Sequence, residues 1–281
     1  MKKALFTWLI LFLTSPLICV AQEVYTTDYE VQYELTYHLD STNLKSSATE
    51  TLYLFTGSDQ SVFMNHNTAH AEEIEVNLER LQRTTGVRDW EAAGARNSIF
   101  DKLFYKNLGN EFVWTIEKIL DKKYGYQEPA IPLEWEVGEE IQSFSGYTVQ
   151  PATTSFAGRN YVAWFTMEVP ILDGPYLFSG LPGLIVELYD TEKHYHFKML
   201  SIEKLKETKT WKLPKYAKVT REDFIELKKK EVEAETVELL HDVSSGRTKI
   251  GKAGGGIMSE SEVRRSIKKK KESKNNPIEL E

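Results

Sequence analysis

Hydrophobic and polar positions alternate most regularly in "EVQYELTYHL". Val31, Tyr33, Leu35, Tyr37 and Leu39 fall on one face, and Gln32, Glu34, Thr36 and His38 on the other. Period two with one apolar face predicts a half-buried antiparallel strand. "ATETLYLFT" follows as its partner, then a short strand at Ser61 to Asn65. From Thr68 the period changes. Ile74, Leu78 and Leu81 recur at helical spacing and Gly86 ends the run, which predicts one short amphipathic helix covering a sheet. Strands resume at "IFDKLFYKN", "EFVWTIEKIL", Leu133 to Gln142, "GYTVQPATT" and "NYVAWFTMEV". The run from Tyr161 to Phe165 is apolar on both faces, so a mid-sheet position with packing on each side is expected.

Residues 178–190 read "FSGLPGLIVELYD". Pro182 presets φ for the second position of a β-turn and Gly183 accepts positive φ at the third. Leu181-Pro182-Gly183-Leu184 is therefore expected as a type II turn. Leu184, Val186 and Leu188 alternate beyond it, and Tyr195, Phe197 and Met199 alternate after a polar break, so a β-hairpin is predicted. On that pattern His194, His196 and Lys198 share the solvated face. After Pro214 the composition shifts. Thr220 caps a charged surface helix with a thin stripe of Phe224, Leu227, Val232 and Val237. Residues 241–281 hold too little apolar content to fold and read as a flexible tail that carries a solvated lysine run, Lys268 to Lys271.

Together these elements predict an α+β fold. A mainly antiparallel, curved, half-barrel-like sheet carries one or two covering helices and a disordered C-terminal tail. The domain spans 22–240.

The start of the chain is read differently. Lys2 and Lys3 precede the apolar run "ALFTWLILFLTSPLICVA", the layout of a secretory signal peptide over residues 1–21 with cleavage after Ala21. Lipidation at Cys19 is the alternative, against which stands the bulky Ile18. Export to the periplasm or cell envelope follows, and no later segment is apolar enough to span a bilayer. Cys19 is the one cysteine, so thiol catalysis, disulfides and thiolate metal sites are not expected in the mature chain. The net charge of the whole chain is −7, and residues 22–220 are more acidic still, with 19 basic against 29 acidic residues. That balance argues against nucleic acid, whose affinity rests on phosphate neutralisation.

Candidate chemistry is sparse. HExxH, GxSxG, a phosphate loop and EF-hand spacing are all absent. His66 and His70 lie four apart with Glu72 and Glu73 nearby, which makes them the metal candidates, although the expected helix cap falls between them. Arg159 and Trp164 flank a buried strand and are the candidate ligand contacts. A surface ion pair and a core aromatic are their plainer readings. The segment "EVPILDGPYLFSGLPG" holds three prolines and three glycines among apolar side chains. Exposed, it would aggregate. It therefore reads either as a rigid plug closing one end of a curved sheet or as the lip of an apolar cleft.

The stretch "GRNYVAWFTMEVPILDGPYLFSGLPGLIVELYD" resembles the signature of the GLPGLI family of secreted Gram-negative proteins. Gly180, Leu181, Pro182, Gly183, Leu184 and Ile185 spell its name, and "NPIEL" at Asn276 to Leu280 looks like its short terminal motif. "GYTVQPA" is similar to a family segment that carries cysteine where Val149 stands here. The resemblance implies an envelope location and no settled activity. It also implies, by analogy with neighbouring genes, an outer-membrane transporter as partner. The expected function is a non-enzymatic binding or transport-accessory protein without a cofactor, acting on an apolar ligand or an envelope protein. The alternatives are a metal-dependent hydrolase using His66 and His70, and a purely structural envelope protein.

Overall fold

The computed structural model describes residues 24–43, 47–109, 111–251, 257–272 and 276–279. The signal-peptide segment and Cys19 lie outside the described residues. Among these described residues, thirteen strands and four helices follow in chain order. The first strands are β1 (Val24–His38), β2 (Ser47–Thr56) and β3 (Gln60–Asn65), and helices α1 (His66–Ala69) and α2 (Ala71–Thr85) come next. Then come β4 (Leu103–Asn107), β5 (Phe112–Ile119), β6 (Lys122–Pro129), β7 (Glu136–Val137) and β8 (Gln142–Phe144). The series closes with β9 (Tyr147–Phe156), β10 (Arg159–Thr166), β11 (Leu184–Asp190), β12 (Tyr195–Lys212), β13 (Ala217–Lys218), α3 (Arg221–Ser244) and α4 (Glu260–Glu272).

All strands join one open sheet in the order β13-β6-β5-β4-β3-β2-β1-β12-β11-β10-β9-β7, with β8 paired to β9. Every pairing is antiparallel except β13 on β6. The expected architecture is therefore present. Val31, Tyr33, Leu35 and Tyr37 of β1 are buried as their alternation requires, while Leu39 is half-buried.

The sheet is strongly curved, and side-chain contacts prove it. Tyr176 packs edge-on against Phe104 of β4 at 5.1 Å and reaches Phe156 of β9 at 6.4 Å. Those strands lie seven steps apart in the sheet. At roughly 4.8 Å per step a flat sheet would hold them about 34 Å apart. Only a cup brings both to one ring. The cup is filled by a large cluster to which β1, β2, β9, β10, β11 and β12 all contribute.

Four local expectations change. β10 does lie mid-sheet, but it is not packed on both faces. Tyr161, Ala163 and Phe165 are buried, while Val162 and Trp164 are half-buried. The strand expected across Leu133 to Gln142 reduces to the two-residue β7 and the start of β8. Helix α2 buries Ile74 and Leu78 against Ala93 of the segment that follows it, in a cluster separate from the sheet core. Finally, part of the expected flexible tail is ordered. Helix α3 runs to Ser244 and Glu260–Glu272 forms α4, with Leu240 and Val263 both buried. Thr220 caps α3 as expected, its side chain accepting from the Asp223 amide.

Candidate binding groove

The proline- and glycine-rich loop between β10 and β11 lies inside the cup. Ile171, Tyr176, Phe178 and Leu181 are all buried in the main cluster. Phe178 packs on Tyr161 and Phe156, with centroids 4.6 and 5.2 Å away. Asp173 is wholly buried and forms an ion pair with Lys106 of β4, itself 1% exposed. The Lys106 ammonium also donates to the Gly174 carbonyl at 2.9 Å. The second Asp173 oxygen accepts from the Thr56 hydroxyl at 3.3 Å. Burial pushes the Lys106 pKa down, and the neighbouring Asp173 charge opposes that shift.

The type II turn is a correction. Gly183 does not have positive φ. Its N–H donates to the Leu181 carbonyl at 2.8 Å, a three-residue γ-turn around Pro182. Positive φ belongs to Gly180, at 92°. Gly183 is needed for another reason. A Cβ there would stand 2.1 Å from the Thr166 carbonyl oxygen. β10 and the turn approach too closely for any side chain. Leu184 and Ile185 then run into β11, both fully buried. Leu184 N–H donates back to Val169 and Ile185 N–H to Asp173.

Arg159 and Trp164 are not brought together. They fall on opposite faces of β10, and Trp164 is half-buried against the core. Arg159 is buried at the centre of a polar network. One guanidinium nitrogen donates to Asp190 at 3.2 Å and lies 3.2 Å from His194 Nδ1. The other donates to the Asn276 side-chain oxygen at 2.5 Å and the Pro277 carbonyl at 2.8 Å. The guanidinium also lies 5.4 Å from the Tyr195 ring centre. The expectation of a solvated His194 is therefore overturned. Lys193 takes a positive φ of 59°, so the strand alternation begins only at Tyr195, and His194 turns inward. His196 does lie half-exposed on the outer face, bonded to Glu187 at 2.7 Å.

Residues Asn276–Glu279 thus dock on the sheet rather than trailing from it. They form one wall of a groove roofed by α3. A cavity of about 590 Å³ is lined by Tyr126, Phe224, Ile225, Val232 and Ile278, with Lys102, Glu117, Arg221 and Lys228 around it. A second, of about 530 Å³, reaches Leu35, Phe100, Tyr176 and Tyr195 on the floor and shares Ile278 and Val232 with the first. Phe224 anchors α3 here by packing on Tyr126 and Ile119. Glu117 is bound by Lys228 at 2.6 Å. Burial raises the pKa of Asp101 in this groove.

His66 and His70 do come together, with ring centres 4.5 Å apart. His66 opens α1 and His70 lies between α1 and α2, so a helix junction separates them, close to the expected cap. His66 is engaged by the Tyr53 hydroxyl and the Gly94 carbonyl, each at 3.2 Å. Its pKa is lowered by burial and by nearby Arg96 and His70. Among the described residues the grouping with three metal-ligating atoms close together is Asp190, Glu192 and His194, elsewhere in the molecule. Two of its members are already bound to Arg159. Sequence reasoning missed Lys106, Asp173, Asp190 and the tyrosine donors. Arg159 and the terminal "NPIEL" motif were the sequence features that pointed to this region.

A family model described as "Protein of unknown function (Porph_ging)" matches residues 157–187, which span β10, the buried loop and the first half of β11. None of the curated proteins matches the chain. Two solved structures of PNGF-II, in space groups P21 and C2, are similar over 74% of this chain at 14% identity and a TM-score of 0.52. The matched part is 34% and 33% of those chains, so this chain spans about a third of the structures it matches. At that identity the likeness is one of fold.

Proposed function

We propose that this chain is an exported envelope protein of GLPGLI type that binds an apolar ligand, or an apolar segment of a partner, in the groove beneath α3. The observation that carries the reading is the groove itself. Its floor is aromatic and aliphatic and its rim is charged. Concave, largely apolar sites with a few placed polar groups are what small-molecule and segment recognition needs. Export rests on the basic and apolar start of the chain, and a transporter partner rests on the family resemblance alone. No helix among the described residues is long and apolar enough to cross a membrane.

The test uses protein purified from an envelope fraction and analysed by native mass spectrometry. A bound apolar molecule or peptide is expected. It should be lost in Ile225→Trp, which adds bulk at a partly exposed groove position and leaves the sheet intact. Wild-type protein that carries no such molecule and takes up no long-chain acyl probe would sink the proposal. Stoichiometric metal lost in a His66→Ala, His70→Ala double variant, together with a hydrolytic activity, would favour the hydrolase instead.

A further inference from the structure

The four residues Asn276–Glu279 are recognised atom by atom. The Asn276 amide donates to the Leu39 carbonyl at 3.1 Å. Its side chain accepts from Arg159 at 2.5 Å and donates to the His38 carbonyl at 2.6 Å. Its own carbonyl accepts from the Tyr195 hydroxyl at 2.6 Å. The Pro277 carbonyl accepts from Arg159, and the Ile278 carbonyl from Tyr161 at 3.3 Å. The Glu279 carboxylate takes the Tyr176 hydroxyl, with Arg221 at 3.1 Å and Lys102 at 3.8 Å. Proline is the residue that suits the second place, because it brings no N–H that would need a partner.

The donors themselves are built into the fold. Arg159, Tyr161, Tyr176 and Tyr195 are all buried. Tyr176 holds a backbone φ of 58°, an outlier for a bulky residue, and its hydroxyl meets Glu279. Without the segment, one guanidinium nitrogen and three phenol groups would lose their acceptors inside the protein. Buried polar groups left unpaired are costly. The segment, by contrast, contributes little to the core. Asn276 is buried, but Pro277 is exposed and Ile278 and Glu279 are only half-buried. Directional hydrogen bonds hold it, with little apolar burial of its own.

We propose that this end of the cup is a peptide receptor for an Asn-Pro-apolar-Glu segment, filled here by the chain's own Asn276–Glu279 as a detachable strap. Ile278 lines both cavities of the groove, so release of the strap would remove a wall residue that they share. The inference rests on the hydrogen bonds to the strap and stands whether or not the groove takes an apolar ligand.

The experiment uses the full chain carrying Asn276→Ala and Glu279→Ala, which weakens the strap and leaves the receptor unchanged. The probe is a dye-labelled peptide of residues 273–281. In the wild type the tethered strap competes at high effective concentration. The labelled peptide should therefore bind the variant at least tenfold more tightly than the wild type. A peptide with alanine in place of the asparagine should not saturate. Adding Tyr195→Phe to the variant should weaken binding about fivefold. A folded variant that fails to bind the peptide, or binds the alanine peptide equally, overturns the receptor. Should the variant not fold, hydrogen exchange on the wild type decides. A detachable strap requires the Asn276 amide to exchange at least 100-fold faster than that of Leu35 in β1, and equal protection overturns it.

Discussion

Two proline-bearing segments, the loop 167–183 and the strap Asn276–Glu279, dock in the same cup by opposite means. The loop buries Ile171, Tyr176, Phe178 and Leu181 and closes on the Lys106–Asp173 pair. Each such side chain contributes about 1.5–3 kcal/mol by leaving water. The strap buries one asparagine and is held by hydrogen bonds, each worth about 0.5–1.5 kcal/mol net, and more where a charge takes part. The loop is therefore a piece of the core that happens to lack regular structure. The strap is a bound peptide that happens to be covalently attached. They meet where Tyr176 donates to Glu279.

The comparison breaks most directly at Lys106. Removing one partner of a buried ion pair typically costs about 3–5 kcal/mol, because the other charge stays buried alone. Lys106→Ala should lose that much in urea unfolding. Lys106→Met combined with Asp173→Leu should recover most of it, since two apolar side chains can fill the same space. A loss below about 1 kcal/mol for Lys106→Ala would make the loop no more integral than the strap.

The glycines sharpen the same point on a smaller scale. Gly183→Ala forces a Cβ against the Thr166 carbonyl, and moving that backbone should cost about 3 kcal/mol. Gly180→Ala would meet only the Trp135 indole nitrogen at 3.9 Å, an ordinary contact, and should cost the positive-φ penalty, about 1–2 kcal/mol. A Gly183→Ala loss no larger than that of Gly180→Ala would mean that β10 does not press on the turn at that position.

This ranking was not legible in the sequence, and the reason is general. Proline followed by glycine announces a tight turn, but which strand passes beside it is a tertiary fact. Local features fared better. The alternation of β1, the β11–β12 hairpin and the Thr220 cap are each set by neighbours within a few residues, so period and capping chemistry sufficed. Lys106 reads as an exposed strand lysine because its partner lies 67 positions away. His194 falls on the outer face only if strand parity is carried one residue back into the turn at Lys193, where the positive φ breaks it. Arg159 stood out in the sequence, but its contacts come from a segment whose polar composition read as solvated. Composition measures apolar burial, and the strap binds through its carbonyls.

Breaking the strap should cost less than breaking the loop. Asn276→Ala removes bonds to Arg159 and the His38 carbonyl, and about 1–2 kcal/mol of stability should go with them. Carboxypeptidase should then trim the end of the chain several times faster, while the urea dependence of the remaining transition stays unchanged. Slow trimming equal to that of the wild type would show that the asparagine does not hold the strap.

The smallest effect is also the most specific. Tyr195→Phe deletes one hydroxyl, which donates to the Asn276 carbonyl, and should cost about 1 kcal/mol at neutral pH. Burial pushes the Tyr195 pKa from 10.0 to about 12, with Arg159 pulling the other way. Above pH 10 the unfolded chain therefore gives up this proton before the folded one does. The unfolded state then binds fewer protons, so the Tyr195 contribution falls as pH rises from 10 towards 12, by at most about 1.4 kcal/mol per pH unit. The phenylalanine variant has no such loss. Its deficit against the wild type should shrink above pH 10 and close near pH 11. Tyr105 is likewise pushed to about 12 by burial, but it donates to the Lys212 carbonyl, away from the strap. Tyr105→Phe should show the same closing gap without any change in carboxypeptidase trimming. A Tyr195→Phe deficit that stays constant from pH 7 to 11 would mean that this hydroxyl is not buried against the strap.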